Sequence, residues 1–189
     1  MPNHWFELLF IEVIILHLKK LMIQFRIAEP KDTEAIAHLH ALNWQTHYQG
    51  NFNAEYLDGP VFDDRLAVWK ERFSNPEPGQ YTLLAETKDN LCGFMCLFLD
   101  QDAKWGTYID NLHVSGNFEG QGIGKMLMAK AGDYIRQHSK MDKYYLWVLT
   151  DNNNAIAFYK RVGGEIAGRE IKDDPSGGRS EIFRVVWEI

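Results

Sequence analysis

From Ile23 onward the chain shows a legible pattern of apolar and polar positions. Ile23, Phe25 and Ile27 interleave with Gln24, Arg26 and Ala28, the two-residue period of a strand. Pro30 ends that run. Asp32 then stands where the cap of a helix is expected, ahead of Ala35, Ile36, Leu39 and Leu42. A second helical stretch over Asp63–Phe73 stops at the two prolines of Ser74–Gly79. Strand-like runs follow at Tyr81–Thr87 and Leu91–Leu99, joined as a hairpin by the polar turn Lys88-Asp89-Asn90. A third run, Thr107–Val114, leads through a glycine-rich loop into a helix whose Leu127, Met128, Ala131, Tyr134 and Ile135 share one face. Tyr144–Leu149 is a compact apolar strand. Asn152 caps the next helix, which carries Ala155, Phe158, Tyr159 and Val162 on one side, with Gly163 placed to stop it. Glu165–Ile171 and Glu181–Ile189 read as closing strands around a polar loop, Lys172–Ser180.

The resulting order is β-α-α-β-β-β-α-β-α-β-β. Mixed order of this kind predicts an α+β fold around one sheet, not a repeating βα barrel or a doubly wound sheet. The 189 residues suffice for one ordinary domain, and neither an internal repeat nor a linker divides them. Residues 1–21 stand apart. Trp5–Leu18 is mostly apolar but carries Glu7, Glu12 and His17, and it is too short to span a bilayer comfortably. It lacks the basic start and small-residue cleavage site of a secretory signal. The expected division is an apolar extension over 1–21, outside the domain, and a single domain over 22–189. The extension reads first as upstream sequence with Met22 as the original start, and otherwise as a docking helix or a weak anchor. No membrane partner is expected.

Charge and cysteines narrow the classes further. Net charge is −6 with no Lys/Arg cluster on a predicted face, which argues against nucleic acid as a partner. Cys92 and Cys96 lie in one predicted strand, where four residues span roughly 13 Å, too far for a disulfide. They are expected to share a face as buried thiols, which suits a cytoplasmic protein. His38 and His40 lack a metal-ligand partner at helical spacing, no metal is expected, and no G-x-S-x-G elbow offers a nucleophile.

The chemistry concentrates in Val114–Met128, VSGNFEGQGIGKMLM. Gly120, Gly122 and Gly124 alternate between a strand end and a helix start. Such a backbone can turn tightly and present N–H groups to a phosphate at the positive end of the helix. A Walker loop fails, with Glu119 in place of its first glycine and Met126 in place of its hydroxyl residue. A dinucleotide fingerprint fails with Lys125 in place of its third glycine.

Glu119–Gly124 instead resembles [QR]-x-x-G-x-[GA], the pyrophosphate loop of the GNAT N-acetyltransferase superfamily, with Glu119 departing at the first position. Asn152–Gly163, NNNAIAFYKRVG, resembles the second signature of that family, N-x-x-A-[IL]-x-F-Y-x-x-x-G. YIDNLHV resembles the strand that precedes the loop, and the likeness extends over Ile23–Ile189. It implies a central mixed, mostly antiparallel twisted sheet of six to seven strands flanked by about four helices. It further implies acetyl-CoA as acyl donor and direct transfer to a primary amine of a small acceptor within a ternary complex.

On that resemblance, Gly120, Gln121, Gly122, Ile123, Gly124 and Lys125 would hold the pyrophosphate. Backbone groups of Leu112 to Val114 would meet the pantetheine or the acetyl carbonyl, with Asn152 and Phe158 beside the donor. Tyr159 would be the general acid. Asp110 and His113 are candidate bases, with a water chain to a remote carboxylate as the alternative, and the odd spacing of the two residues predicts opposite faces. Asn43–Asp58 resembles the acceptor wall of small-molecule members through Trp44, Tyr48 and Tyr56, near Asp58, Asp63 and Asp64. A protein N-terminus or lysine as acceptor stays open, as does a catalytically weak acyl-CoA sensor; a homodimer is compatible with the sequence.

Overall fold

A computed structural model describes residues 22–189, so the expectation for 1–21 lies outside the described residues. Seven strands form one sheet in the order β1-β2-β3-β4-β5-β7-β6. They are β1 (Gln24–Ile27), β2 (Gln80–Glu86), β3 (Leu91–Asp102), β4 (Gly106–Val114), β5 (Lys143–Leu149), β6 (Glu165–Asp173) and β7 (Arg179–Glu188). The helices are α1 (Thr33–His47), α2 (Ala54–Asp58), α3 (Val61–Ser74), α4 (Ile123–His138) and α5 (Asn153–Arg161). The expected α+β sheet is present, with five α-helices among the described residues where about four were expected. The addition is α2, whose five residues are too few to show a period. Asn53 caps it by accepting from Glu55 N at 2.9 Å.

Alternation along the strands builds two cores. Leu83, Met95, Leu97, Ile109, Leu146 and Val185 face α4 and α5. Leu84, Phe94, Cys96 and Phe98 face α1 and α3, around the buried Ile36 and Trp69. A smaller cluster of Ala41, Trp44, Phe52, Leu57 and Val61 joins α1 to α2 and α3.

Two bulges overturn parity arguments. Ala85 pairs with Gly93 but Glu86 with Leu91, so one residue of β3 is extra. Cys92 therefore faces the α4 core while Cys96 faces the α1 core, and the two thiols do not share a face. Both are free and buried, as expected. In β4, Cys96 pairs with Asn111 but Leu97 with Ile109, which leaves Asp110 as the extra residue. Asp110 and His113 consequently point to the same layer, Asp110 to Arg72 of α3 and His113 to His40 of α1.

Two smaller expectations also change. Asp32 does not cap α1 with its side chain; it accepts from Arg26 at 2.6 and 2.8 Å and from the Glu29 amide at 2.8 Å. Ile27, at the end of β1, is 61% exposed, so the inward alternation stops at Phe25.

Every neighbouring pair of strands is antiparallel except β4 and β5. Those two run parallel and pair only at Thr107↔Tyr144 and Tyr108↔Tyr145. After Tyr108, just ahead of the bulge at Asp110, the pairing stops, and the gap opens the middle of the sheet.

Candidate active site

Two cavities meet at that gap. One, of about 780 Å³, is lined by the loop and helix start of Gly120, Gly122, Ile123, Gly124 and Lys125, with Asn152 and Phe158 opposite. The other, of about 530 Å³, lies between the α1–α3 layer and β5–β7, with Trp44, Phe52, Arg65 and Arg72 in its wall. Tyr48, Leu112, His113, Trp147, Leu149 and Tyr159 line both.

The larger cavity fits an anion. Gly120 and Gly122 adopt φ of +73° and +80°, and a Cβ on either would meet no heavy atom within 4 Å, so the loop is open. The first helical hydrogen bond runs from Met126 N to Gly122 O at 3.0 Å. Among the described residues the amides of Gly120 to Lys125 meet no backbone acceptor, the state of a helix start that binds a phosphate. Gly124 brings α4 against α5: a Cβ there would stand 3.3 Å from the Phe158 ring. Glu119 lies 3.5 Å from His47 Nε2, which gives its carboxylate a partner on α1. Gln121 does not line the cavity; its side chain donates to Asn117 O at 3.3 Å. Asn152 accepts from Ala155 N at 3.0 Å and caps α5 while lining the cavity.

Tyr159 is buried, with its ring edge-on to Trp187 at 5.9 Å. Its hydroxyl makes no hydrogen bond among the described residues. Burial, and next the Tyr48 phenol, push its pKa above the usual tyrosine range. Burial raises Tyr48 to about 12.

His113 stays neutral at ordinary pH, because burial first, then His47 and Arg65, lower its pKa to about 3. Asn43 Nδ2 donates to Val114 O at 2.9 Å and lies 3.4 Å from His113 Nδ1, a long contact that leaves the ring lone pair weakly engaged. Asp110 lines only the smaller cavity and accepts from Arg72 Nη2 at 2.6 Å.

Of the expected acceptor wall, Trp44 and Tyr48 line the smaller cavity and Tyr56 lines neither. The Tyr56 hydroxyl donates to Asp64 instead. The Trp44 face is covered by the chain's own Arg65, 4.1 Å away. Sequence reasoning missed Asn43, Arg65, Arg72 and Trp147. Arg65, Trp69 and Arg72 fall at i, i+4 and i+7, so the spacing carried the signal that both arginines share the inward face of α3.

Among the described residues no group of His, Cys, Asp and Glu could hold a metal, and no helix is long and apolar enough to cross a membrane. A sheet split between an open helix start and a second cavity, with a phenol in the shared wall, is an arrangement that suits an acyltransferase of the CoA-dependent kind. The sequence matches the acetyltransferase (GNAT) family over residues 33–164, and the chain belongs to that family. It is 28% identical over 147 residues to the L-amino acid N-acetyltransferase AaaT of Escherichia coli K12, covering 77% of this chain and 85% of that protein. In fold it is similar to the PaiA N-acetyltransferase of Thermoplasma acidophilum in complex with coenzyme A (TM-score 0.68, 19% identity, 89% of this chain and 99% of that one). It is likewise similar to yncA of Salmonella typhimurium with acetyl-CoA (TM-score 0.64, 17% identity, 88% and 94%). Acetyl-CoA as donor substrate fits both the family and the open glycine loop.

Proposed function

We propose that this acetyltransferase moves the acetyl group of acetyl-CoA to a primary amine of a small molecule, by direct attack with both substrates bound. The carrying observation is the shared wall: Tyr48, Leu112, His113, Trp147, Leu149 and Tyr159 face a donor-sized cavity on one side and a smaller one on the other. Cavities that share this wall let an amine approach a thioester without an acyl-enzyme. The relative named for L-amino acids supports a small acceptor over a protein one.

In this reading the amides of Gly120 to Lys125 hold the pyrophosphate, and β4 past the bulge offers the backbone of Leu112 to Val114 to the acyl arm. Tyr159, protonated and without a competing partner, donates to the departing thiolate. His113 lines both cavities and Asp110 only one, so we assign His113 the amine proton. Its low pKa makes it a base that acts late, on a nitrogen already bonding to the carbonyl carbon. Residues 22–189 carry every residue named in this site, with 1–21 outside the catalytic domain, and removing 1–21 leaves turnover intact.

Thiol release from acetyl-CoA tests the proposal across small amines, amino acids and peptide N-termini. Turnover confined to small acceptors supports it. Turnover confined to peptides, or tight donor binding without any turnover, replaces it with the protein acetyltransferase or the sensor.

A further inference from the structure

The wall of the smaller cavity holds a buried cation that the mechanism above does not use. Arg65, in the second turn of α3, is 8% exposed. Its guanidinium lies over Trp44, and its Nη2 donates to Asp64 Oδ2 at 2.8 Å, the oxygen that also accepts from Tyr56. Its Nε is buried and meets no acceptor. A guanidinium offers five N–H donors in a fixed fork, and this one is spent on one carboxylate oxygen and one aromatic face. A buried charged donor left unmatched is costly.

The other charges in that wall are matched within the chain. Arg72 donates to Asp110 and Asn111. Lys172 stands 3.6 Å from Glu170 and 3.9 Å over the Trp147 ring. Asp173 lies 3.5 Å from Arg179, and Asp174 accepts from Ser176 and Ser180. Arg65 alone presents a buried N–H without an acceptor there, among the described residues. It also adjoins the junction: its charge acts on Tyr48, after burial and Asp110, and on His113, after burial and His47, and both residues line both cavities.

We infer that Arg65 binds a carboxylate of the acceptor, which makes the substrate class an amino acid or a similar amine with a neighbouring carboxylate. The inference rests on the small-amine reading and narrows it. An α-amino acid carries its amine on the carbon beside the carboxylate. Pairing the carboxylate with Arg65 therefore keeps the amine close, on the side of Tyr48 and His113. Planar, bidentate recognition of this kind suits arginine better than lysine.

The test compares amino acids with their carboxamides, matched in side chain, by thiol release from acetyl-CoA. Wild-type enzyme prefers the acid in kcat/KM by roughly tenfold to a hundredfold, the range of a charge-assisted hydrogen bond. In Arg65→Gln the acid falls far more than the carboxamide, so the preference collapses, and Arg65→Lys restores only part of it. Equilibrium titration with an N-acetyl amino acid, a product that keeps the carboxylate, shows a matching loss of about tenfold or more without turnover. A merely structural Arg65 would lower both substrates equally, and that result overturns the inference. So does a wild-type enzyme that takes carboxamides as readily as acids, a measurement that needs no variant to fold. Turnover of amines without acid preference overturns this inference alone; no turnover of any small amine overturns the reading beneath it as well.

Discussion

Arg72 Nη2 donates to Asp110 Oδ2 at 2.6 Å, and this bond fastens the last turns of α3 to the bulge of β4. Both side chains are 20% exposed, so the pair is largely shielded from water. Removing one partner strands the other charge. Asp110→Asn keeps the shape and removes the charge, and is expected to lower unfolding free energy in urea by about 2–3 kcal/mol. Arg72→Met in the same background should return part of that loss, because the stranded cation goes with it. If Asp110 were instead the catalytic base, turnover would fall out of proportion to stability.

That bulge also marks how far the sequence could be read. The strand order, the hairpin β2–β3, the helix start after the glycine loop and the Asn152 cap all follow from local patterns, and each is where the pattern puts it. Faces within a strand follow from parity only while the ladder is regular. One extra residue near Cys92 and another at Asp110 reverse every assignment that counts across them. Asp63 stays exposed while Arg65 is buried two positions later; spacing puts Arg65 on the face of Trp69, but that this face is the inward one for a charged side chain is a tertiary fact. Tyr56 went to Asp64 for a similar reason, since the five-residue α2 is placed by packing of Leu57 beside Val61 and Trp44 as well as by its Asn53 cap.

Tyr159 gives a test of proton donation. Its pKa lies above the ordinary value near 10, so the phenol stays protonated through neutral and mildly alkaline pH. Tyr159→Phe keeps the ring against Trp187 and Phe158. Stability should change by no more than about 0.5 kcal/mol, and affinity for acetyl-CoA should hardly move. Turnover should fall at least about tenfold. An unchanged rate would remove the residue from the mechanism.

Two glycines of the cradle should respond differently. Gly122 caps α4 at φ +80°, where a side chain is strained even with open space around it. Gly122→Ala is expected to cost about 1–2 kcal/mol and to weaken coenzyme A binding as the loop relaxes. Gly124 has helical geometry, and alanine there meets Val114 Cγ2 at an ordinary 3.7 Å and the Phe158 ring at 3.3 Å, which a small ring shift relieves. Gly124→Ala should therefore bind coenzyme A within a few-fold of wild type, whereas the larger Gly124→Val presses α5 away and should abolish it. Calorimetric titration with coenzyme A separates the three; equal losses at both alanine variants would contradict a backbone-built site.

His40 and His113 make stability depend on mild acid. Their rings lie 4.6 Å apart, and His40 Nδ1 accepts from Trp69 Nε1 at 3.1 Å. Burial lowers both pKa values, His113 to about 3 and His40 well below its ordinary value. In the unfolded chain each titrates near 6.5, so the unfolded state binds more protons below that pH. Stability is complete above about pH 6.5 and declines as pH falls toward the folded values. The loss is up to about 2 kcal/mol from each histidine near pH 5, less for His113, whose ring faces the cavities. The lowered carboxylates Asp32 and Asp64 titrate below this window. Urea unfolding near pH 7 and near pH 5 measures the decline. His40→Gln, whose amide oxygen can still accept from Trp69, should show less than half of it. A wild-type profile that is flat across that range would mean the two rings are not buried as neutral groups.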